Sequence, residues 1–415
     1  MLYRTLVTAA LFCIVSFSSP HWLLELQATP ITPAWQATTT DLDDLIKLIK
    51  EGNDFQQATA AAQLLDHADE YERFAMPLAK LLLERDELLT FTVKRVVKRL
   101  GTKLVDALNP DFSGSMDEEQ FRALCSVINA LGDDCRSFEP KLVQLLATEK
   151  DIFRRVAAMY ALTGFSKGSP DAIEHILIDM KYDDMNVTLF ATRLVIKTGA
   201  AAKQAIPALN NLFENGNISQ RSYANWAYAA IGSTDDLDVV ALTEKQLAKF
   251  NVVERERALI SAGLLGADAK DMEPKIREMM GQDYSNLEGP GAVALWKVTG
   301  EAEDSIDRLI QVTEDFVEYE VNGPKFLGQL GPAAAPTTDF LISRLSSEDI
   351  SVQIHVLEAL GKIGPAAQQH QSEIAKIVDA TTSPVVKLVG QDSLTLINAT
   401  ETSTDDEASS NGNDQ

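Results

Sequence analysis

Oxygen-bearing side chains are concentrated in one short segment, residues 109–121, where their spacing indicates cation chemistry. The candidate ligand residues are Asn109, Asp111, Ser113, Asp117 and Gln120. Gly114 lies among them, at the place where the chain must turn sharply if these oxygens are to face one point. Calcium prefers a shell of about six to eight such oxygens. The segment could therefore form a weak calcium site, and calcium is the one exception to the expectation that the protein has no cofactor.

The same segment resembles the calcium loop of EF-hand proteins, which lies between two helices. Helical patterns precede it as KLVDAL and follow it as FRALCSVI, and Met116 matches the apolar position of the loop. Two positions depart from the family pattern, because Asn109 replaces an Asp and Gln120 replaces a bidentate Glu. The loss of two charges and one ligand atom is the reason to expect weak binding. A solvated loop without calcium is the alternative.

Motifs for hydrolysis, redox chemistry or nucleotide binding are absent from the sequence. It contains no HExxH, GxSxG, GxxxxGK[ST] or GxGxxG pattern, and none of the five His has a second His at ligand spacing. The pair His355 and Glu358 is an isolated partial match to a metal motif. Cys125 and Cys135 could form a disulfide in an oxidising compartment. Alternatively, Cys125 is a small core residue and Cys135 is a loop residue.

Regularly spaced glycines divide the middle of the chain into repeats. Each follows an apolar helical stretch, and the gaps between them are 31, 32, 35, 33, 34, 34, 31 and 33 residues. The glycines are Gly101, Gly132, Gly164, Gly199, Gly232, Gly266, Gly300, Gly331 and Gly364. A fixed period of this size is typical of a stacked array. A glycine at the end of a helix favours a left-handed turn, so each of the nine is predicted to adopt one.

Apolar positions around these glycines predict two helices in each repeat. The positions eight, five, four and one before the glycine form a single stripe, as in Val93, Val96, Val97 and Leu100. A second stripe begins about ten residues after the glycine. Prolines occur in the first turn of that helix or just before it. They are tolerated there because the first N–H groups of a helix have no partner within the helix, so the missing N–H of proline breaks no hydrogen bond. These prolines are Pro140, Pro207, Pro274 and Pro336.

The layout resembles HEAT-like repeats, in particular the short repeats of phycobilin lyases. The resemblance covers most of the chain and is carried by the Leu/Ile-x-Gly helix ends and by Arg122, Arg154, Arg155 and Arg257. It implies an all-α fold, an α-solenoid superhelix of about ten helix pairs over residues 40–398 with a period of about 33 residues. Tetratricopeptide repeats are the alternative, but their Trp, Tyr and Pro landmarks do not recur at a regular register.

The family resemblance leaves two classes of function open, because such repeats serve as scaffolds and also as a few enzymes. The first is a non-catalytic protein-interaction scaffold. The second is an enzyme of the bilin-lyase kind, against which the absence of a dedicated motif counts. A scaffold modulated by calcium through residues 109–120 is a third possibility. The sequence favours the scaffold, with no catalytic residues and an unidentified protein partner.

Candidate partner-binding residues lie off the buried stripes of the second helices, which line the concave side of HEAT-type arrays. One group is a basic cluster in an acidic protein, and the other group is aromatic. The residues are Lys94, Arg95, Lys98, Arg99, Phe190, Tyr223 and Trp226. Aromatic residues and Arg are enriched in interface cores. The alternative is that the aromatics fill gaps between repeats and that the basic cluster is a solvated face.

The two ends of the chain differ in composition from the repeats. Residues 1–28 combine Arg4, an uncharged apolar run and a small residue at Ala28, which predicts a signal peptide, or an uncleaved anchor if it is retained. Residues 29–39 are predicted to be a linker, and residues 399–415 an acidic disordered tail without large hydrophobes. The protein is thus expected to be exported, to the periplasm or the cell exterior, and possible membrane tethering depends on residues 1–28.

The overall charge limits the classes of partner. The chain has 37 Lys and Arg against 61 Asp and Glu, a net charge of −24. Such a charge repels phosphate backbones and anionic lipids, so wholesale nucleic-acid binding is not expected.

Overall fold

The computed structural model describes residues 41–108, 116–181, 184–234, 237–281, 285–317 and 319–399. This described part is all-α, as the sequence predicts, and it contains no strand apart from an isolated bridge between Thr234 and Leu237. No helix in these ranges is both long enough and apolar enough to cross a membrane. The predicted signal peptide, linker and tail residues 400–415 lie outside the described residues.

The chain divides into two compact units, Met1–Val239 and Val240–Gln415. Alternating first and second helices make up the described part of the N-terminal unit. These are α1 (Leu42–Glu51), α2 (Asp54–Gln63), α3 (Tyr71–Leu81), α4 (Glu87–Leu100), α5 (Lys103–Ala107), α6 (Glu118–Leu131), α7 (Glu139–Thr148), α8 (Ile152–Leu162), α9 (Ile173–Ile176), α10 (Met185–Thr198), α11 (Ile206–Asn215) and α12 (Ile218–Ile231).

The C-terminal unit continues the alternation, with α13 beginning at the boundary residue Val239. Its helices are α13 (Val239–Leu247), α14 (Val252–Leu265), α15 (Glu273–Met280), α16 (Ser285–Thr299), α17 (Glu303–Asp315), α18 (Tyr319–Gln329), α19 (Thr338–Arg344), α20 (Ile350–Ile363), α21 (Gln371–Ala380) and α22 (Pro384–Ile397).

Side-chain caps determine where the second helices begin. Asp86, Asp117, Asp151 and Asp184 each accept hydrogen bonds from backbone N–H groups in the first turn of α4, α6, α8 and α10. Asn217 forms a reciprocal capping box with Gln220 at the start of α12. These caps satisfy N–H groups that have no partner within the helix.

Glycine turns end most of these helices, as the sequence predicts. Positive φ angles occur at eight of the predicted glycines, for example 60° at Gly132 and 72° at Gly364. At several of them a seven-residue 3₁₀ helix follows, as in Gly132–Phe138 and Gly266–Met272, and leads into the next first helix. Pro140, Pro207 and Pro274 occupy first-turn positions of α7, α11 and α15, which confirms their predicted place.

The prediction for Gly164 is wrong, because the positive φ of this repeat lies at Gly168, where it is 56°. Gly164 instead packs on α6, where a Cβ would lie 2.4 Å from the carbonyl oxygen of Asn129. The side chain of Asn129 donates to the carbonyl oxygen of Tyr160 at 2.8 Å and to Thr163 Oγ1 at 3.1 Å. This inter-helix contact holds the end of α8, so the chain turns back four residues later.

Second helices form a continuous packed row within each unit. In the N-terminal unit, each of α2, α4, α6, α8, α10 and α12 contacts the next one, and we call these six helices the N-terminal row. In the C-terminal unit, α14, α16, α18, α20 and α22 do the same, and we call them the C-terminal row. Their apolar stripes are buried, as in Leu124, Val127 and Ile128 of α6, all 0% exposed. Burial of such stripes supplies most of the stability of packed helices.

Candidate interaction surface

The basic cluster lies on α4, on the side opposite its buried stripe. Val93, Val96, Val97 and Leu100 are at most 4% exposed and face the neighbouring helices. On the other side, Lys94 and Arg95 are half-buried, and Lys98 and Arg99 are exposed. The guanidinium carbon of Arg95 lies 4.2 Å from the centre of the Phe91 ring, one helical turn earlier. The structure therefore places all four predicted basic residues together at the surface of the N-terminal row.

The predicted aromatic residues belong to a chain of ring contacts that crosses α8, α10 and α12. The rings of Tyr160 and Phe190 meet edge to face, with centroids 5.9 Å apart and an interplanar angle of 79°. The Arg193 guanidinium carbon lies 5.9 Å from the Phe190 centroid and 6.0 Å from that of Tyr223. The ring of Tyr223 lies 5.7 Å from that of Trp226. We call these five residues the aromatic row.

Burial differs among the members of the aromatic row. Tyr223 is only 4% exposed, whereas Tyr160, Phe190, Arg193 and Trp226 are half-buried. Half-buried rings that already touch their neighbours offer rigid apolar area to a partner at little further cost in side-chain entropy. Tyr223 mainly supports the others from below the surface. The accessible part of the aromatic row therefore consists of half-buried side chains from three successive second helices.

Two members of the aromatic row, Tyr160 and Arg193, were not among the residues singled out in the sequence. The available signals were their spacings: Arg193 follows Phe190 by three residues on one helix face, and Tyr160 precedes Phe190 by nearly one repeat. Neither signal is specific, because many buried core residues of α8 and α10 are related by the same spacings. The contact between α8 and α10 is what makes the two rings neighbours.

The predicted calcium ligands are only partly described. Asn109, Asp111 and Ser113 lie outside the described residues. Asp117 is the N-cap of α6, where its carboxylate accepts the Gln120 backbone N–H at 2.8 Å, and the Gln120 side chain is half-buried. No group of three or more His, Cys, Asp or Glu that could hold a metal ion occurs elsewhere among the residues with described positions. Calcium binding by residues 109–120 stays a prediction.

Both cysteines of the described chain are free and buried. Cys125 is within α6, in agreement with a core residue, but Cys135 is 0% exposed within the 3₁₀ helix Gly132–Phe138 and is not an open loop residue. Burial raises the pKa of the Cys125 thiol far above its ordinary value, and burial followed by the charges of Asp134 and Asp106 raises the pKa of Cys135 to about 11. Neither thiol is a ready nucleophile.

Of the arginines that carry the family resemblance, three are held in ion pairs. Arg155 is buried against Asp179, Arg154 lies 3.0 Å from Glu149, and Arg257 lies 3.4 Å from Glu256. Burial raises the pKa of Glu256, and the positive charge of Arg257 opposes this shift. Arg122 is half-buried on α6. The paired arginines thus have structural roles within their units.

A cleft of about 390 Å³ opens between α15, α16 and α17 in the C-terminal unit. Its cations are already matched by carboxylates, because Arg277 lies 2.7 Å from Asp304 and 2.9 Å from Glu273. Arg308 pairs with the buried Glu288 and donates to the carbonyl oxygen of Met280 at 3.1 Å. Because these charges satisfy each other, the cleft is a weaker candidate than the surface of the N-terminal row.

Comparisons with known proteins add no relative: no family model matches the chain, and no curated protein matches it significantly.

Proposed function

We propose that this chain is a non-catalytic protein-interaction scaffold whose helix pairs stack as a HEAT-like α-solenoid and whose N-terminal row binds a protein partner. The observation that carries the proposal is the aromatic row, in which ring contacts link Tyr160, Phe190, Arg193, Tyr223 and Trp226 across three successive second helices. Pre-ordered aromatic and Arg side chains of this kind dominate the binding energy of protein interfaces.

The repeat architecture is a second argument for this proposal. Among the described residues, helices of one row pack mainly on their neighbours in the row and on the first helices and 3₁₀ helices beside them, so the surface of the row grows with the number of repeats. Such a surface suits an extended partner better than a small substrate. The two thiols are buried, and the charged side chains of the cleft between α15 and α17 are paired with each other. Neither feature offers a reactive group that would favour an enzyme.

Export is part of the proposal and depends on the sequence of residues 1–28. A cleaved signal predicts that the mature chain begins after Ala28. N-terminal sequencing of the protein from its native source tests this directly. Protein from a soluble cell extract whose N-terminus is still residue 1 would contradict it.

The scaffold is tested by capture of partners from the native envelope fraction with the tagged protein. Simultaneous Phe190→Ala and Trp226→Ala substitution is expected to abolish capture of the main partner. Phe250→Ala is the matched control, because Phe250 is 86% exposed but lies in the C-terminal unit, outside the aromatic row. Circular dichroism verifies that both variants are folded. Equal capture by the wild type and the double variant would contradict the proposal.

A further inference from the structure

The N-terminal row has a charge opposite to that of the whole protein. Its six helices carry ten Lys and Arg against four Asp and Glu. The chain as a whole carries 37 against 61. The C-terminal row is balanced, with six residues of each sign on its five helices. Positive charge is therefore concentrated on the second helices of one unit.

Six carboxylates close to the beginning of the second helices in sequence are engaged by groups of the protein. Asp86, Asp117, Asp151 and Asp184 are N-caps at the beginning of their helices, where backbone N–H groups and the helix dipole balance their charge. Glu149 and Asp179 hold Arg154 and Arg155. These groups do not cancel the cations in the later turns of α4 and α10.

Three cations of the row are exposed, two of them on α4 and one on α10. Lys98 and Arg99 occupy the last turn of α4, and Lys197 occupies the last turn of α10, one turn after Arg193 of the aromatic row. No Asp or Glu occurs within α8, α10 or α12. An extended ligand that follows the row from α4 to α12 would meet exposed cations and half-buried rings in succession.

We propose that the segment bound by the N-terminal row is an acidic protein segment that also carries aromatic or aliphatic side chains. This inference rests on the proposed scaffold function and names the chemistry of its partner. Carboxylates of the segment meet Lys98, Arg99 and Lys197, and its apolar side chains pack on the exposed edges of Phe190 and Trp226. Charge complementarity of this kind increases the specificity and the association rate of a complex more than its affinity.

A protein segment fits this surface better than a polyphosphate or a lipid membrane. Duplex DNA carries one charge per about 1.7 Å and needs many cations spread along its path. The row exposes few cations within a protein of net charge −24, and this charge repels a dense polyanion that comes within the Debye length of about 8–10 Å. A short acidic segment needs few ion pairs, and the ring edges accept its apolar side chains.

The test uses fluorescence anisotropy of labelled synthetic peptides with the full chain. The probe is a peptide of repeated Glu-Glu-Phe, about 15 residues long so that it can reach from α4 to α12 when extended. It is compared with Gln-Gln-Phe and Lys-Lys-Phe peptides of the same length. We expect the Glu peptide to bind, the other two to bind at least about tenfold more weakly, and the binding to weaken as salt is raised.

Charge-reversal variants locate the site. Lys98→Glu combined with Arg99→Glu is expected to weaken binding of the Glu peptide by about tenfold or more. Lys47→Glu with Lys50→Glu is the matched control: both lysines are exposed on the first helix α1 of the same unit, and the substitutions bring the same charge change. This control is expected to bind as the wild type does. Lys197→Glu provides a separate variant on α10 if the first pair affects folding.

Several results would overturn the proposal. They are equal binding of the Glu and Gln peptides, an equal effect of the α1 control, and tighter binding of duplex DNA or of phosphatidylglycerol vesicles than of the Glu peptide. Stronger peptide binding by a chain that ends at Ala399 would also overturn it, because the acidic residues 400–415 would then be the occupant. If the peptide fails but capture still depends on Phe190 and Trp226, the scaffold function survives and the acidic partner does not.

Discussion

Arg155 and Asp179 form a buried ion pair that fastens α8 to the turn preceding α10. The Arg155 Nε donates to Asp179 Oδ1 at 2.9 Å, and Nη2 donates to Oδ2 at 2.5 Å, so the contact is bidentate. Nη2 also donates to the carbonyl oxygen of His175 at 2.8 Å, and Nη1 donates to that of Glu149 at 3.1 Å. The guanidinium of Arg155, on α8 of the N-terminal row, therefore joins two successive helix pairs.

Removal of one partner of this pair is expected to destabilise the N-terminal unit strongly. Asp179→Ala leaves a buried cation without its counter-charge and should lower the free energy of unfolding by about 3–5 kcal/mol. Urea unfolding followed by circular dichroism measures it. Glu278→Ala, which removes an exposed partner of Lys275, is the control and should change the transition much less.

The double variant Arg155→Met with Asp179→Leu separates the cost of an unpaired charge from the value of the pair. Two apolar side chains of similar size are expected to recover most of the stability lost in Asp179→Ala. If the double variant is as unstable as the single one, the hydrogen bonds to the carbonyls of His175 and Glu149 are what the unit needs.

Gly168→Ala is expected to be more destabilising than Gly101→Ala, although both glycines have a positive φ. A Cβ at Gly168 would lie 2.4 Å from Thr198 Oγ1 and 2.6 Å from the Thr198 backbone nitrogen, whereas a Cβ at Gly101 meets nothing within 4 Å. The backbone conformation alone costs about 1–3 kcal/mol in each variant, because a residue with a Cβ rarely adopts a positive φ. The clash at Gly168 should add about 1–3 kcal/mol. Equal midpoints in urea would show that the contact with α10 is readily relieved.

The helix-ending glycines could be predicted from the sequence at most positions, but not at Gly164. A glycine after an apolar stripe is a local feature, and the local rule placed the turn correctly at eight positions. At Gly164 the deciding factor is a contact with Asn129, one repeat earlier in the chain. The aromatic row could likewise be predicted only in part. Phe190 and Trp226 are recognisable by residue type, whereas Tyr160 joins the aromatic row only through the packing of α8 on α10, and Arg193 only through its contacts with Phe190 and Tyr223.

Native Cys125 and Cys135 are expected to react very slowly with Ellman's reagent. Because the pKa of Cys135 is raised to about 11, its thiolate fraction at pH 8 is about one in a thousand. Rates are measured in Cys13→Ser protein with and without denaturant. Rapid reaction of the folded protein would contradict the buried position of both thiols.

The raised pKa of Cys135 also predicts a pH dependence of stability. Its folded pKa of about 11 lies above the ordinary value of 9.0, so the folded state favours the neutral thiol. The resulting stabilisation is fully present below pH 9 and is lost as the pH rises from 9 toward 11. Cys135→Ala should show a smaller loss of stability over this range. An identical alkaline slope in both proteins would exclude the thiol as a source.

Calcium binding by residues 109–120 is expected to be weak, with a dissociation constant of about 10⁻⁴–10⁻³ M. Isothermal titration of the full chain measures it, and Asp111→Asn should reduce the heat. Asp117→Asn separates the two roles of Asp117, because Asn retains the helix cap and removes the charge. It should leave stability unchanged and weaken calcium binding. No heat at millimolar calcium would leave Asp117 with the capping role alone.

The central claim, that a protein partner lies on the N-terminal row, is tested most directly by photo-crosslinking in the native source. A photoreactive phenylalanine analogue is placed at Phe190 in one protein and at Phe250 in another. We predict a discrete crosslinked partner from position 190 and none from position 250. The opposite pattern, or no crosslink from position 190 while the partner still co-purifies, would contradict the claim.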